Sequence, residues 1–232
     1  MILTYKLVLT HLYRNLQKEG RNGLVNDVRL RLSADERRAS ILEQAKVVFA
    51  QLGYQQAGTR EIAAACGISE ATLYQHFRSK KQLFLEIFYS FGAQHHERWK
   101  NLVSEQVQQQ GREGLERAFI TYRILCAADP TLAQLLTQIF SETNDPDMKV
   151  AAQKYLQSIR TFLYELVEQA RATGILPSAM NGEILALQGT SIFVMMLVTR
   201  MVQNASVETL LTDTQLVQLG QSWLGSCIPI EH

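Results

Sequence analysis

The sequence has few of the residues that interrupt helices, with only 4 prolines and 13 glycines among 232 residues. Its three cysteines (Cys66, Cys126 and Cys227) are far apart and form no C-x-x-C pair, so neither a disulfide framework nor a zinc site is expected. The net charge of +1 excludes a basic coat over the whole chain, and the 47% apolar content excludes a disordered one. These deficits predict a globular, mainly helical protein that needs no cofactor.

Long apolar runs are also missing. The apolar residues of segment 1–13 are interrupted by Lys6 and His11, and no small-residue cleavage site follows, so no secretory signal is predicted. The most apolar internal segment, between Glu183 and Arg200, holds 16 residues, which is short of the roughly 18 needed to span a membrane. We therefore expect a cytoplasmic protein without membrane association.

The near-zero net charge conceals an uneven distribution. Residues 1–85 carry 13 Lys and Arg against 7 Asp and Glu, a net charge of +6. Residues 86–232 carry 10 against 15, a net charge of −5. A basic front half is typical of a surface that meets a polyanion, although a chance distribution over a solvated surface stays open.

Apolar residues recur every three to four positions through most of the chain, and no period-two strand is found, so the predicted fold class is all-α. Helix-start signals are dense between residues 33 and 90. They are capping boxes at Ser33–Glu36 and Ser79–Gln82, and single caps at Thr59 and Ser69. Further helices are predicted at 115–128, 131–141, 148–172, 183–202 and 214–226.

Residues 58–77 have the pattern of a helix-turn-helix. Residues 59–77 read TREIAAACGISEATLYQHF, in which Ala63 allows two short helices to cross closely and Gly67 provides a positive φ for the turn. Apolar residues at 62, 68 and 73 hold the two helices together. The second helix then presents its exposed N-terminal residues to a major groove of DNA.

The candidate DNA contacts fall into two groups. Side chains suited to phosphate oxygens are Thr59, Thr72, Tyr74, His76 and Lys80. Side chains suited to base edges are Arg60, Thr72 and Gln75, with Ala71 for a thymine methyl group and Ser69 and Glu70 at the helix start. Two alternatives stay open for Glu70, which either accepts a hydrogen bond from cytosine or stabilises the helix N-terminus.

With these motifs the segment 33–90 resembles the DNA-binding domain of the tetracycline-repressor (TetR) family. The matching residues are Phe49-Ala50, Gly53-Tyr54, Thr59–Ala63, Gly67–Ser69, Thr72–Tyr74, His76-Phe77, Lys80-Lys81 and Leu83-Phe84. The resemblance implies an all-helical homodimer that places its third helix in each major groove of a palindromic operator. It also implies dimerisation through the last two helices, and a small-molecule effector bound within helices four to eight that moves helix four. Family members are mostly repressors.

Residues 91–232 are predicted to form the effector-binding and dimerisation domain. The segment from Ile184 to Val198 is apolar around most of its circumference, which favours burial against a partner subunit, with an ordinary core helix as the alternative. Gly189 and Ser191 would allow the partner to approach closely. Candidate pocket residues are Trp99, Phe119, Tyr122, Arg123, Phe140, Tyr155 and Phe162.

Three other polar positions are interpreted more plainly. Arg123 could meet an anionic ligand, but a surface arginine is the favoured alternative. His95 and His96 are adjacent, so their side chains point about 100° apart on a helix and cannot share a metal ion. We expect both histidines at solvated positions and no metal site.

The leading functional hypothesis is a ligand-responsive DNA-binding regulator, a repressor, without enzymatic activity. An enzyme with a DNA-binding head is the second hypothesis, but no nucleophile–base pair, phosphate loop or metal cluster supports it. The third is a DNA-binding protein of the same fold that recruits a protein partner and has no effector. Residues 1–32 form an N-terminal extension, interpreted as a basic arm near DNA, a disordered or weakly helical tail, or the product of a mis-chosen start, and we favour the last two.

Overall fold

The computed structural model describes residues 33–203 and 211–225. The chain divides into two units, of which the first ends at Ala39 and the second begins at Ser40. The predictions for residues 1–32 and for Cys227 lie outside the described residues.

Ten helices account for most of these two ranges, and no strand occurs in either range, so the predicted all-α class is confirmed. In chain order they are α1 (Ala34–Gln56), α2 (Thr59–Ala65), α3 (Glu70–His76), α4 (Lys80–Gln110), α5 (Arg112–Glu116), α6 (Ala118–Ala128), α7 (Pro130–Ser141), α8 (Pro146–Ala172), α9 (Gly182–Gln203) and α10 (Asp213–Gly225).

Side-chain caps start several helices where the sequence predicts them. At α1 the Glu36 amide donates to Ser33 Oγ at 3.2 Å, and the Ser33 amide donates to the Glu36 carboxylate at 2.8 Å. These hydrogen bonds to Ser33 lower the pKa of Glu36. At α4 the Gln82 amide donates to Ser79 Oγ at 3.0 Å.

The cap predicted at Thr59 is wrong, because the N-cap of α2 is Gly58 and Thr59 is the first helical residue. Gly58 has the extended backbone of a cap but no side chain to accept from the free amides.

Gly53 and Gly67 both have a positive φ, which the sequence predicts for Gly67. Gly53 interrupts α1 with a φ of +79°, and Gly67 has a φ of +65° in the turn between α2 and α3. The chain after Gly53 turns Tyr54 onto Phe84, with ring centroids 4.9 Å apart. The first turn of α4 is thereby packed against the end of α1.

The long helix α4 runs without a break from the helix-turn-helix into the rest of the second unit. The domain boundary predicted at residue 90 therefore falls inside a continuous helix. Trp99, near the middle of α4, is fully buried, packs edge-on against Phe162 and Phe193, and donates a hydrogen bond to the Ala118 carbonyl at 3.0 Å. This cluster joins α4 to α6, α8 and α9.

Helix α9 packs on α8 and α10 through its small residues. A Cβ at Gly189 would lie 2.9 Å from Leu163 and 3.3 Å from Trp223, so this glycine serves packing within one subunit and not the predicted approach of a partner. The Trp223 indole also donates to the Leu185 carbonyl at 2.7 Å. Close contact thus fixes α10 on α9.

The apolar segment of α9 is longer than the 16 residues counted in the sequence between Glu183 and Arg200. The window Gly182–Thr199 has 18 residues and is long and apolar enough to cross a membrane by length and composition, with a third of it buried. A core helix of a soluble protein has the same composition, so the expected absence of membrane association stays a prediction.

Candidate nucleic-acid interface and ligand cleft

The crossing of α2 and α3 is built on a small apolar core. Ile62, Ala63, Leu73 and Phe77 are buried, and the Ile68 amide closes the turn by donating to the Ala63 carbonyl at 3.0 Å. A larger residue at position 63 would separate the two helices. These contacts hold α3 in a fixed orientation on α2.

The opposite face of α3 is free of packing. Tyr74 is 50% exposed, and Ala71 and Gln75 are exposed beside it, while Thr72 and His76 are half-buried. Arg60 is exposed on the neighbouring α2. Ala71, Tyr74 and Gln75 therefore share the solvent-facing side of α3, Arg60 is exposed on α2, and the contacts of these residues with DNA stay a prediction.

The starts of α2 and α3 are joined by a hydrogen bond that the sequence analysis missed. The Thr59 hydroxyl donates to the Glu70 carboxylate at 2.8 Å, and the Thr72 amide donates to Ser69 Oγ at 3.1 Å. Glu70 is thus held against α2, which favours the second alternative, a structural role at the helix start. The Thr59 hydroxyl oxygen keeps its lone pairs, but its proton is used within the protein.

Lys80 has an internal role in addition to its predicted phosphate contact. Its ammonium group donates to the carbonyl oxygens of Tyr54 at 2.8 Å and Gln55 at 3.4 Å, and lies 4.7 Å from the centre of the Tyr54 ring. These carbonyls belong to the last turn of α1, where no helical donor remains for them. Lys80 therefore ties the end of α1 to the start of α4.

Three polar contacts connect the helix-turn-helix region with α7 and the start of α8. Gln138 donates to the Phe49 carbonyl at 2.7 Å, and Gln55 donates to the Glu142 carboxylate at 2.7 Å. Lys81 pairs with Asp145 at 3.0 Å and also with Asp147, and its hydrogen bond lowers the pKa of Asp145. The partners are at least 64 positions apart in the sequence, so no local pattern could have identified them.

A cleft opens between α6, α7, α8 and α9. Its enclosed space is about 40 Å³, enough for a few water molecules, and the whole cleft including its solvent-facing mouth is about 510 Å³. The wall is mostly apolar and contains Tyr122, Arg123, Cys126, Ala133, Leu136, Phe140, Tyr155, Leu156, Ile159, Phe193, Met196 and Leu197.

Four of the seven predicted pocket residues, namely Tyr122, Arg123, Phe140 and Tyr155, line this cleft. The other three, Trp99, Phe119 and Phe162, are buried and are not among the lining residues. They form the aromatic core behind the cleft because their rings pack edge-on against Phe193, Trp223 and one another. For these three positions a place in an effector pocket stays a prediction.

The cleft contains one pair of hydroxyl groups. The Tyr122 and Tyr155 hydroxyls lie 3.1 Å apart and share a hydrogen bond. Burial raises the pKa of both phenols, so both stay protonated. Each phenol therefore has one proton to donate to an acceptor.

Arg123 is not the surface arginine that the sequence favoured. It is 9% exposed, and its guanidinium pairs with Asp213, the first residue of α10. The Nε atom of Arg123 is buried and has no hydrogen-bond partner in the described parts of the chain. A charged group thus lies at the edge of an otherwise apolar cleft.

The two adjacent histidines of α4 are also less solvated than predicted. His95 is buried and His96 half-buried, with burial lowering the pKa of each to about 4. His95 packs edge-on against the Tyr122 ring, which places it directly behind the cleft. Across residues 33–203 and 211–225, no group of three His, Cys, Asp or Glu side chains is arranged to hold a metal ion.

These histidines predict a loss of stability in mild acid. An ordinary histidine pKa is about 6.5, so the unfolded chain takes up protons below that pH while the folded chain does so only near pH 4. The free energy of unfolding should therefore fall from pH 6.5 to pH 4, by about 2 kcal/mol at pH 5 for His95 alone. Urea unfolding at several pH values measures this slope.

The control for this pH effect is His95→Gln, which removes the titrating ring and keeps a polar side chain. The pH slope of its stability should be shallower than that of the wild type. An unchanged slope would show that other groups dominate acid unfolding. Asp129 is the nearest acidic group that opposes the shift of His95, and Arg98 and His96 reinforce it.

Comparison with known proteins identifies the helix-turn-helix region. Residues 41–87 match the family model described as "Bacterial regulatory proteins, tetR family". The HTH-type transcriptional activator FasR of Mycolicibacterium smegmatis is 49% identical over 57 residues, which is 25% of this chain and 26% of the activator. The chain thus matches about a quarter of the length of this relative. The predicted resemblance to the TetR family is confirmed for the DNA-binding domain.

Two comparisons extend beyond this domain. The fatty acid metabolism regulator protein of Bacillus subtilis is 22% identical over 141 residues, which cover 61% of this chain and 71% of the relative. The crystal structure of FadR from Bacillus subtilis in complex with stearoyl-CoA superimposes with a TM-score of 0.61 at 18% identity, over 84% of this chain and 99% of the other. At this identity the match shows a shared fold.

Proposed function

We propose, from the premise that residues 41–87 form a TetR-family DNA-binding domain, that the protein is a transcriptional regulator. It binds a palindromic operator as a homodimer and leaves the operator when a small molecule occupies the cleft. The observation that carries the proposal is the exposed face of α3, where Tyr74 and Gln75 project from a helix whose other face is fixed on α2.

In this proposal α3 enters the major groove. Gln75 reads a base edge because its amide offers one donor and one acceptor in a fixed pair, which matches adenine. Tyr74 and Thr72 donate to phosphate oxygens and position the helix. Arg60 approaches from α2 and adds positive charge.

Dimerisation is supported by a stripe of exposed side chains on α9. Ile184, Leu187, Ser191, Met195 and Val198 follow one another at spacings of three and four residues and are all exposed. A mainly apolar stripe of this kind on a helix is stable in water when a second helix covers it. We assign this α9 stripe, together with α10, to the dimer interface.

The cleft supports the effector half of the proposal. Mostly apolar walls with a few polar groups are typical of small-molecule sites. The FadR structure of Bacillus subtilis, solved in complex with stearoyl-CoA, shares the fold, which supports a small-molecule ligand for this protein as well.

Operator occupancy by a dimer blocks transcription when the operator overlaps a promoter, so we propose repression. The FasR relative is named as an activator, so activation is the alternative sign. A regulator that acts on DNA in this way works in the cytoplasm of a bacterial cell. No catalytic activity is part of the proposal.

Genomic footprinting with the purified protein tests the proposal. Footprints at palindromic sites with half-site centres about 34 Å apart, or a multiple of that distance, are expected from a symmetric dimer. Transcription in vitro from a footprinted promoter then distinguishes repression from activation. Uniform, sequence-independent binding would contradict the proposal.

Substitutions on α3 should distinguish residues that read base edges from residues that position the helix on the phosphate backbone. Gln75→Ala should cost about 1–3 kcal/mol of binding at one base pair per half-site and relax the preference at that position. Tyr74→Phe should weaken binding by a similar factor for every operator sequence, because it removes only a phosphate donor. Gel shifts against a panel of single-base operator variants measure both effects.

The matched control is Gln51→Ala, which removes an exposed glutamine from α1. This variant should bind the operator panel like the wild type. If Gln75→Ala also behaves like the wild type, α3 is not the reading helix.

A further inference from the structure

The pairing of Arg123 and Asp213 has features that a purely structural ion pair does not need. Arg123 is almost fully buried at the cleft wall, whereas the Asp213 side chain is 64% exposed. The carboxylate therefore stays largely hydrated while it neutralises a buried cation. Such a partner can leave the arginine at small cost, provided that another anion takes its place.

We propose that the cleft binds an amphipathic carboxylate whose hydrocarbon chain lies among its apolar walls and whose carboxylate replaces Asp213 on Arg123. This inference rests on the proposed function in one respect, since it takes the cleft as the effector site. It adds the chemical class of the effector and the group that recognises it.

The donors of Arg123 favour a carboxylate over other head groups. A guanidinium offers donors on one edge that match the two oxygens of a carboxylate, and the buried Nε–H of Arg123 is not used by any described residue. A neutral alcohol accepts fewer of these hydrogen bonds and leaves the positive charge uncompensated if Asp213 departs. A cationic head would be repelled.

The rest of the cleft suits a hydrocarbon chain. Its wall includes Leu136, Ile159 and Phe193, and the two tyrosine hydroxyls bond to each other. Met196 has an unbranched, flexible side chain, and the side chain of Leu197 can rotate at its end. Rotation of these two side chains can enlarge the enclosed space. A hydrocarbon chain therefore meets mainly apolar side chains along these walls.

Displacement of Asp213 connects the ligand with the dimer region. Asp213 is the first residue of α10, and α10 packs against α5, α6 and α9. When a ligand carboxylate pairs with Arg123, the start of α10 loses its ion pair with α6. The ligand thereby alters the position of a helix that we assign to the dimer interface.

Isothermal titration with octanoate and 1-octanol near neutral pH tests the inference. The two probes have equal chain lengths and differ in the head group. Wild-type protein should bind octanoate about tenfold more tightly than octanol. Arg123→Gln should remove this preference while retaining octanol binding, and Asp213→Asn should bind octanoate several-fold more tightly because the competing carboxylate is gone. Circular dichroism establishes that both variants are folded.

Equal affinity of the wild type for both probes would overturn the inference, and so would weaker octanoate binding by Asp213→Asn. If Arg123→Gln does not fold, the ratio of octanoate affinity to octanol affinity can still be compared between Asp213→Asn and the wild type. That comparison tests the inference. A gel shift tests the proposed function separately. If the protein does not bind the operator in the absence of any ligand, the regulator proposal is contradicted. If octanoate leaves operator binding unchanged, only the coupling between the ligand and operator binding is contradicted.

Discussion

Replacement of Leu187 by glutamate is expected to convert the proposed dimer into a monomer and to weaken operator binding by about a hundredfold or more. Leu187 is 53% exposed and belongs to the α9 stripe. In a two-fold interface each position occurs twice, so the change places two carboxylates in one apolar contact. Each DNA-binding domain then binds its half-site alone and loses the additional affinity that a linked second domain provides. Light scattering after gel filtration measures the mass, and gel shifts measure the affinity.

Val150→Glu is the control for Leu187→Glu. It introduces the same charge at an exposed apolar position, but on α8 and outside the α9 stripe. This variant should remain a dimer and bind the operator normally. A Leu187→Glu protein that elutes as a dimer would show that another surface joins the subunits.

The helix-turn-helix could be predicted because its determinants act over short distances. Ser69, Gly67 and Ala63 each impose a local geometry, namely a cap, a left-handed turn and a close crossing, within a span of seven residues. Neighbouring residues along the chain specify these features, so a single sequence reveals them. The capping box at Ser33 is predictable for the same reason.

The cleft region was less predictable because its contacts join distant parts of the chain. Arg123 meets Asp213, 90 positions later, and no pattern near either residue indicates the pairing. For His95 the sequence could not identify which face of α4 the other helices cover. Trp99 illustrates the same limit, since an aromatic residue suits a pocket wall and a core equally well.

Replacement of Gly220 by valine should lower the free energy of unfolding by about 3 kcal/mol or more. A Cβ at position 220 would overlap the carbonyl oxygen of Glu116, where α10 crosses α5. The obstacle is backbone, so a side-chain rotation cannot relieve the overlap, and α10 must shift. Because α10 belongs to the proposed dimer interface, the dimer should also weaken. Urea unfolding at fixed protein concentration measures the change.

Gly225→Val is the control on the same helix. A Cβ at position 225 meets no atom within 4 Å, so the stability should change by less than about 0.5 kcal/mol. Equal stability of the two valine variants would contradict the close crossing of α10 and α5.

The length of α4 has a mechanical consequence. Its 31 residues make a rod of about 46 Å, with Lys80, next to the proposed reading helix α3, at one end and Gln110 at the far end. A pivot of about 5° at the far end displaces the Lys80 end by about 4 Å, slightly more than the spacing of about 3.4 Å between successive base pairs. A rotation of about 5° is thus sufficient to shift the proposed reading helix by more than one base-pair step.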